Sequence, residues 1–131
     1  MPIAHIALWT RDLEAAAHFW RLHFDADVGE PYHSNRRPGF VSRFARLPCG
    51  GQIELMTAPW LEERRLHTDM VGWDHIAICV GDREAVDRLA ARCRTDGLLL
   101  SGPRVTGDGF YEAVVATPDG TCVEITGTPV A

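Results

Sequence analysis

The sequence predicts an α+β fold: two tandem βαβββ modules whose strands form a cupped, barrel-like mixed sheet with the helices outside. Three observations predict it. The chain has 131 residues, the length of one domain. Two blocks of sequence recur at one fixed offset, and both halves show the same order of strand-like and helix-like apolar spacing. We expect residues 1–131 to form a single domain with module 1 at 1–57, a connector at 58–72 and module 2 at 73–131.

The duplication is carried by two matched blocks. Residues 5–7 (His-Ile-Ala) match residues 75–77 at an offset of 70, and residues 50–55 (GGQIEL) match residues 120–125 (GTCVEI) at the same offset. No gap is needed between the blocks, because the spacing from the His to the Glu is 49 residues in each half. A fixed period of this kind is typical of a repeated structural unit.

Each half is predicted to contain a strand, a helix and then three strands. The first strands are the apolar runs at 3–9 and 74–80, which are rich in Ile, Leu and Val. Asp12 and Asp82 are predicted helix N-caps, and Gly97 is predicted to end the second helix. Apolar side chains follow at helical spacing: Leu13, Ala16, Ala17, Trp20 and Phe24, then Val86, Leu89, Ala90 and Cys93. Further strands are predicted at 26–28, 40–47, 52–57, 98–100, 110–117 and 121–126, with hairpin turns at Gly50-Gly51 and Pro118-Asp119-Gly120.

Side chains alternate between the two faces of a strand, and this alternation sorts the residues of each module. On four strands one face is apolar and branched, which suits packing under a helix, and the other face carries one His or Glu: His5, Glu54, His75 and Glu124. In a cupped sheet these side chains line the concave surface. Carboxylates buried there would repel each other unless a cation neutralised them. We therefore predict that the four residues hold one divalent metal, with Zn, Ni, Co, Fe or Mn all compatible, and leave two positions open for substrate.

The metal prediction depends on repetition. A single strand His is more often an ordinary core or surface residue than a ligand, and a single strand Glu usually faces solvent. Four such residues with identical spacing in two halves favour a metal site. His18, His23 and His67 have no matched partner in the repeat, so we predict that they are surface residues.

Composition limits the classes of function. Hydrophobic residues make up 46% and charged residues 24% of the chain, as in soluble globular proteins. A net charge of −5 argues against non-specific nucleic-acid binding, and none of the 13 basic residues is a lysine, which excludes a Schiff-base mechanism. No secretory signal or membrane-spanning apolar run is visible. We expect a cytoplasmic protein that acts on a small molecule, with reduced, mostly buried thiols at Cys49, Cys79, Cys93 and Cys122.

Four segments together resemble the vicinal oxygen chelate superfamily over essentially the whole chain. They are residues 5–14, with His-Ile-Ala and then Asp-Leu-Glu; 51–55 (GQIEL); 72–77 (GWDHIA); and 118–125 (PDGTCVEI). The superfamily includes glyoxalase I, fosfomycin-resistance enzymes, extradiol dioxygenases, methylmalonyl-CoA epimerase and bleomycin-resistance proteins. The resemblance implies paired βαβββ modules with a metal at the first and last strands of each module. The ligand set His5, Glu54, His75 and Glu124 is most similar to that of glyoxalase I (lactoylglutathione lyase), because the dioxygenases and fosfomycin enzymes use two His and one Glu.

Two positions depart from the glyoxalase I pattern. Short bacterial glyoxalases usually have an Arg four residues after the first His ligand, which helps to bind the glutathione carboxylate, and here that residue is Trp9. They also usually have an Asn four residues after the first Glu ligand, and here it is Ala58. The resemblance therefore supports the metal centre and leaves the substrate and any thiol cofactor open.

By this resemblance, the expected reaction is a proton transfer next to a carbonyl through a metal-chelated enediolate. Glu54 or Glu124 would act as the base, with Glu124 preferred. The loop at 30–40 could bind an anionic substrate through Arg36 or Arg37, although such a loop is often merely solvated. Trp9 could form a wall of the site, and Tyr111 or Glu112 could face the cavity from the matching loop of module 2.

Three functions stay open on the sequence: a metal-dependent lyase or isomerase of glyoxalase type, an iron-dependent oxygenase, and a small-molecule binding or resistance protein without chemistry. A homodimer is also expected. In this superfamily the modules pair within one chain or between two chains, and the connector at 58–72 suits either arrangement.

Overall fold

The first half of the chain forms one helix and five strands. In the computed structural model, which describes residues 1–48, 50–66 and 68–128, the elements are β1 (Ile6–Trp9), α1 (Leu13–Phe24), β2 (Asp27–Val28), β3 (Tyr32–His33), β4 (Val41–Arg46) and β5 (Gln52–Thr57). The strands lie in the order β1-β5-β4-β2, and β3 also pairs with β4. Because β1 runs parallel to β5 and the other pairs are antiparallel, the sheet is mixed.

The second half repeats this arrangement with one helix and four strands over its described residues. Its elements are β6 (His75–Gly81), α2 (Arg83–Thr95), β7 (Leu99–Val105), β8 (Tyr111–Ala116) and β9 (Cys122–Gly127). The order β6-β9-β8-β7, with β6 parallel to β9, matches that of the first sheet. The predicted α+β class is therefore confirmed. The second half has the predicted βαβββ order, and the first half has this order with one additional short strand, β3. The chain divides into compact units at 1–64 and 65–131, and this division falls inside the predicted connector.

Both helices begin where the sequence predicts. The Asp12 side chain accepts hydrogen bonds from the backbone N–H groups of Glu14 and Ala15, and the Asp82 side chain accepts one from Ala85. Such caps satisfy N–H groups that the first helical turn leaves without partners. Neither of the described helices combines the length and the apolar character needed to cross a membrane.

The apolar side of each helix packs on one face of its own sheet. The buried side chains of α2 are the predicted four, Val86, Leu89, Ala90 and Cys93. Those of α1 are Ala16, Ala17, Phe19, Trp20, His23 and Phe24. The branched face of β5 is buried beneath α1, with Ile53 1% and Leu55 0% exposed. The opposite face of each sheet is thus left for the polar residues.

Several sequence predictions need correction. His23 is buried among the apolar residues of α1, at 3% exposure, so the prediction that it lies on the surface is wrong for this residue. Its ring packs against Phe19, four residues earlier on the same helix face, so helical spacing was the signal that places His23 on the buried side of α1. His18 is exposed as predicted. Of the described cysteines, Cys93 is buried, Cys122 is intermediate and Cys79 is exposed. Cys49 and His67 lie outside the described residues.

The loop predicted at 30–40 is more ordered than expected. It contains strand β3, which pairs with β4 through Tyr32–Ser42 and His33–Val41. In the second half, the strand predicted at 98–100 continues to Val105 as β7. Its pairing with β8 shifts in register between Ser101 and Arg104, and such an irregularity interrupts the alternation by which strands are recognised.

Candidate metal centre

In the first unit, His5 and Glu54 lie on the sheet face that α1 does not cover. Glu54 lies between Ala7 of β1 and Phe44 of β4, its two partners in the sheet register. His5 lies two residues before Ala7 and reaches the same face, although β1 itself begins at Ile6. The His5 Nε2 atom is 3.6 Å from Glu54 Oε2, and the side chains are 44% and 17% exposed. The His5 and Phe44 rings are nearly perpendicular, with centroids 5.4 Å apart.

The second unit repeats this pair in the same register. Glu124 lies between Ala77 of β6 and Val114 of β8, each 70 residues beyond its counterpart in the first unit. The His75 Nε2 atom is 3.4 Å from Glu124 Oε2, with side-chain exposures of 41% and 20%. The duplication seen in the sequence therefore extends to the position of each candidate ligand.

His75 has a further partner in the residue that precedes it. Its Nδ1 atom lies 2.7 Å from Asp74 Oδ2, whereas the residue before His5 is Ala4. This hydrogen bond, together with the nearby carboxylate of Glu124, raises the pKa of His75 above its ordinary value. A carboxylate on one ring nitrogen leaves the other nitrogen oriented toward a metal, an arrangement common around metal-binding histidines. Sequence reasoning missed Asp74, although its position directly before His75 was a usable signal.

The donor atoms of each pair fit a divalent metal. Protein ligands bind such ions at about 2.0–2.2 Å, so neighbouring donors of one ion stand roughly 3–3.5 Å apart. The separations of 3.6 and 3.4 Å are close to that range and too long for good hydrogen bonds. Each pair supplies two donors. Among the described residues, no group of three or more His, Cys, Asp or Glu side chains lies close enough together to hold a metal.

Glu112 adds a second carboxyl group to the face that carries Glu124. It pairs with Thr126 in the register of β8 and β9, one row from the Val114–Glu124 pair. Burial, and then the neighbouring Glu124, raises the pKa of Glu112. Tyr111 points the other way: its hydroxyl donates to Asp87 of α2, and Arg83 stacks on its ring. Because consecutive side chains of a strand point to opposite faces, only one of Tyr111 and Glu112 can share the face of Glu124, and this alternation was a signal available in the sequence.

The residues of the first unit that are predicted to bind substrate differ in their surroundings. Trp9 is 40% exposed and makes an edge-to-face contact with Phe40, with centroids 5.8 Å apart. Arg37 stacks over the rings of Phe40 and Trp60. Arg36 is exposed, and no ring contact or ion pair is found for it among the residues described.

The chain belongs to the Glyoxalase/Bleomycin resistance protein/Dioxygenase superfamily, whose family model matches residues 2–125. This confirms the family predicted from the motifs. None of the curated proteins matches the sequence.

Solved structures of the same fold include a glyoxylase/bleomycin resistance protein/dioxygenase domain from Frankia sp. EAN1pec, at 16% identity and a TM-score of 0.84, covering 97% of this chain and 91% of that chain. Another is a trypanothione-dependent glyoxalase I from Leishmania major, at 20% identity and a TM-score of 0.74, covering 97% and 86%. A third is a mutant of the fosfomycin resistance protein FosX from Listeria monocytogenes, complexed with Mn(II) and 1S,2S-dihydroxypropylphosphonic acid. It has 22% identity and a TM-score of 0.72, covering 95% and 90%. At these identities the likeness establishes the fold.

Proposed function

We propose that this protein is a metal-dependent lyase or isomerase of glyoxalase type, which moves a proton next to a carbonyl group of a small substrate. The observation that carries the proposal is the His–Glu pair, present twice in the same register with Nε2–Oε2 separations of 3.6 and 3.4 Å. The superfamily, which includes glyoxalase I and FosX structures, supports an enzyme.

In this proposal His5, Glu54, His75 and Glu124 hold one divalent metal, with Zn, Ni or Co expected for a lyase. The neutral imidazoles and the two carboxylates suit such an ion and offset its charge. When bound, the metal would supply a Lewis acid that polarises two neighbouring substrate oxygens. The Mn(II) in the FosX complex shows that a related fold accepts a divalent ion.

Glu124 is the proposed base, with Glu54 as the alternative. A Glu124 carboxylate oxygen takes the proton from the hydroxyl-bearing carbon beside the carbonyl. The electron pair of the broken C–H bond forms a second bond to the carbonyl carbon, and the π pair of the carbonyl moves onto its oxygen. The same carboxyl group then returns the proton to the former carbonyl carbon while the hydroxyl proton passes to the other oxygen, so that the hydroxyl and the carbonyl exchange places. The sequence of steps is a balanced isomerisation, so it requires no oxidant or reductant. Of the two residues at the start of β8, Glu112 is better placed than Tyr111 to meet the substrate.

The base assignment is tested with Glu124→Gln. Loss of the carboxylate should slow proton exchange by at least about a hundredfold, measured by NMR as the uptake of solvent deuterium by substrate. Methylglyoxal with glutathione, and with other thiols in place of glutathione, is the starting substrate set. Glu62→Gln in the exposed connector is the matched control. Proton exchange at the wild-type rate in Glu124→Gln would rule out this base.

The metal content of protein purified without chelator tests the class of function. Zinc, nickel or cobalt supports the lyase or isomerase. Bound iron together with oxygen consumption indicates an iron-dependent oxygenase instead. Protein that binds no divalent metal, with all four ligand residues intact, would overturn the proposal and indicate a small-molecule binding protein. A homodimer is proposed as well, to be checked by sedimentation.

A further inference from the structure

An aromatic surface continues from Glu54 along the face opposite α1. The next row of the sheet on this face contains Trp9, Met56, Ser42 and Tyr32, which are successive partners across β1, β5, β4 and β3. Phe40 lies two residues before Ser42 and contacts Trp9 edge to face. Three rings of this surface stay accessible, with Trp9 at 40%, Trp60 at 44% and Tyr32 at 61% exposure. Exposed aromatic side chains clustered beside a candidate centre are typical of a ligand-binding surface.

The guanidinium of Arg37 lies on this surface. The Arg37 Cζ atom is 4.9 Å from the centroid of the Trp60 ring and 5.5 Å from that of Phe40. Within the described part of the chain, no carboxylate forms an ion pair with Arg37. A guanidinium that lies over aromatic rings and has no carboxylate partner keeps N–H donors that can bind an oxyanion through two parallel hydrogen bonds.

The loop that carries Arg37 is held in place by its own hydrogen bonds. The N–H of Ser34 donates to the carbonyl of Phe40 at 3.1 Å, the N–H of Phe40 donates to the carbonyl of Arg37 at 2.9 Å, and the Ser34 hydroxyl oxygen accepts from the N–H of Arg37 at 3.0 Å. Gly39 has a φ of +95°, and a Cβ atom there would lie 2.9 Å from the Pro59 ring. The loop therefore packs closely on the Pro59–Trp60 segment, and its order lowers the entropy lost when a ligand binds.

We infer that Trp9, Phe40, Trp60 and Arg37 form a subsite for the far end of the substrate, and that this end is a flat apolar group that bears an oxyanion such as a carboxylate. The rings would contact the flat group, and the guanidinium would bind the oxyanion. This inference rests on the proposed function for the reactive end of the substrate. It makes Arg37, rather than Arg36, the anion-binding residue of the loop.

The spacing of residues along the sheet gives an approximate length for such a substrate. Successive residues on one face of a strand are about 6.6–6.8 Å apart, so Phe40 lies two rows, or roughly 13 Å, from the level of Glu54. The ends of a three-carbon dicarbonyl are separated by two C–C bonds, about 3 Å. A compound of that size would not reach both places, so the substrate is a longer molecule or a conjugate that carries the anion at the end remote from the carbonyl.

Calorimetric titration of the full-length protein with phenylacetate tests the subsite, both as purified and after treatment with EDTA. We expect phenylacetate to bind about tenfold more tightly than phenylacetamide, which lacks the charge, and more tightly than acetate, which lacks the ring. Arg37→Gln should remove this preference. The matched variant Arg36→Gln should leave the affinity within about twofold of the wild type. Unchanged circular dichroism and melting temperature would establish that both variants are folded.

Equal affinities for phenylacetate and its amide, or equal losses in Arg37→Gln and Arg36→Gln, would overturn the subsite. If the aromatic cluster is a contact between copies of this chain, Trp60→Leu would shift the sedimentation coefficient and leave phenylacetate binding unchanged, which also overturns it. Because the titration is also carried out on metal-free protein, a negative result rejects the subsite alone. The proposed function would be rejected by different results: absence of bound metal, or proton exchange at the wild-type rate in Glu124→Gln.

Discussion

His75 and His5 occupy matching positions but have different surroundings. His75 has the Asp74 carboxylate on Nδ1, and His5 has the Phe44 ring nearly perpendicular to its own. A carboxylate fixes the tautomer of an imidazole and makes its other nitrogen a stronger donor to a metal. At the scale of single residues the second pair is therefore the better organised half of the proposed ligand set.

Asp74→Ala should lower the affinity for a divalent metal about tenfold or more. The substitution removes both the hydrogen bond that orients the His75 ring and the negative charge beside it. Competition with a chromophoric chelator measures the affinity. Asp69→Ala, in the exposed part of the connector, is the control. Equal metal affinity in the Asp74 and Asp69 variants would contradict the orienting role.

Between elements, Arg43 joins the sheet of the first unit to the start of α1. Its side chain is 8% exposed, and it donates to the carbonyl of Gly29 at 2.8 Å and to Glu14 Oε1 at 2.7 Å. A buried guanidinium is tolerated because its N–H groups have these acceptors. Arg43 therefore fixes the N-terminal turn of α1 over β4, which carries Phe44 on its opposite face.

Arg43→Ala should lower the free energy of unfolding by about 2–3 kcal/mol, because the Gly29 carbonyl loses its donor and a largely buried side chain is removed. Arg46→Ala is the matched control, since its 3.9 Å pair with Asp27 is exposed on both sides and such pairs contribute about 0–1 kcal/mol. Urea unfolding curves provide both values. Similar losses in the two variants would refute the structural role of Arg43.

Helix α2 contains a thiol whose ionisation is linked to folding. Cys93 is 0% exposed, and burial raises its pKa to about 11 from 9.0. Since the unfolded thiol ionises first, the stabilisation is fully present below pH 9 and is lost as the pH rises to about 11. The chain has no lysine, so no side-chain ammonium groups titrate in this window.

We expect the free energy of unfolding of the wild type to fall by about 2–3 kcal/mol between pH 9 and pH 11 because of Cys93. Cys93→Ala should lack this component of the decline, although it is less stable at neutral pH because a buried side chain is shortened. Denaturant unfolding at several pH values measures both. Parallel pH curves for the two proteins would contradict the linkage.

Over the whole molecule, the duplication extends to details of the backbone. Leu47 N–H donates to the carbonyl of Gly51 at 2.8 Å, and Thr117 N–H donates to that of Thr121 at 2.9 Å, one repeat further along. Gly50 and Gly120 occupy the same place in these two turns, and both have positive φ values, +100° and +86°. Residues that differ between the halves, such as Phe44 and Val114, thus occupy equivalent positions on the same backbone arrangement.

If the two His–Glu pairs contribute to one metal, the protein should bind one divalent ion per chain. His5→Ala and His75→Ala should then each weaken that binding severely, because each removes a ligand of the same ion. Metal-to-protein ratios after dialysis measure the stoichiometry. Two ions per chain, or loss of one of two ions in each variant, would show that the pairs act independently.

The sequence by itself determined the repeat, the βαβββ order, the helix caps and the faces of the four candidate ligands. These follow from local spacing, because capping and strand alternation depend on residues close together in the chain. Tertiary structure decided what spacing does not encode: the hydrogen bond of Tyr111 to Asp87 of α2, the contact of Trp9 with Phe40, and the position of Arg37 over Trp60. Each of these depends on a side chain from another turn, strand or loop, whose position is set by packing.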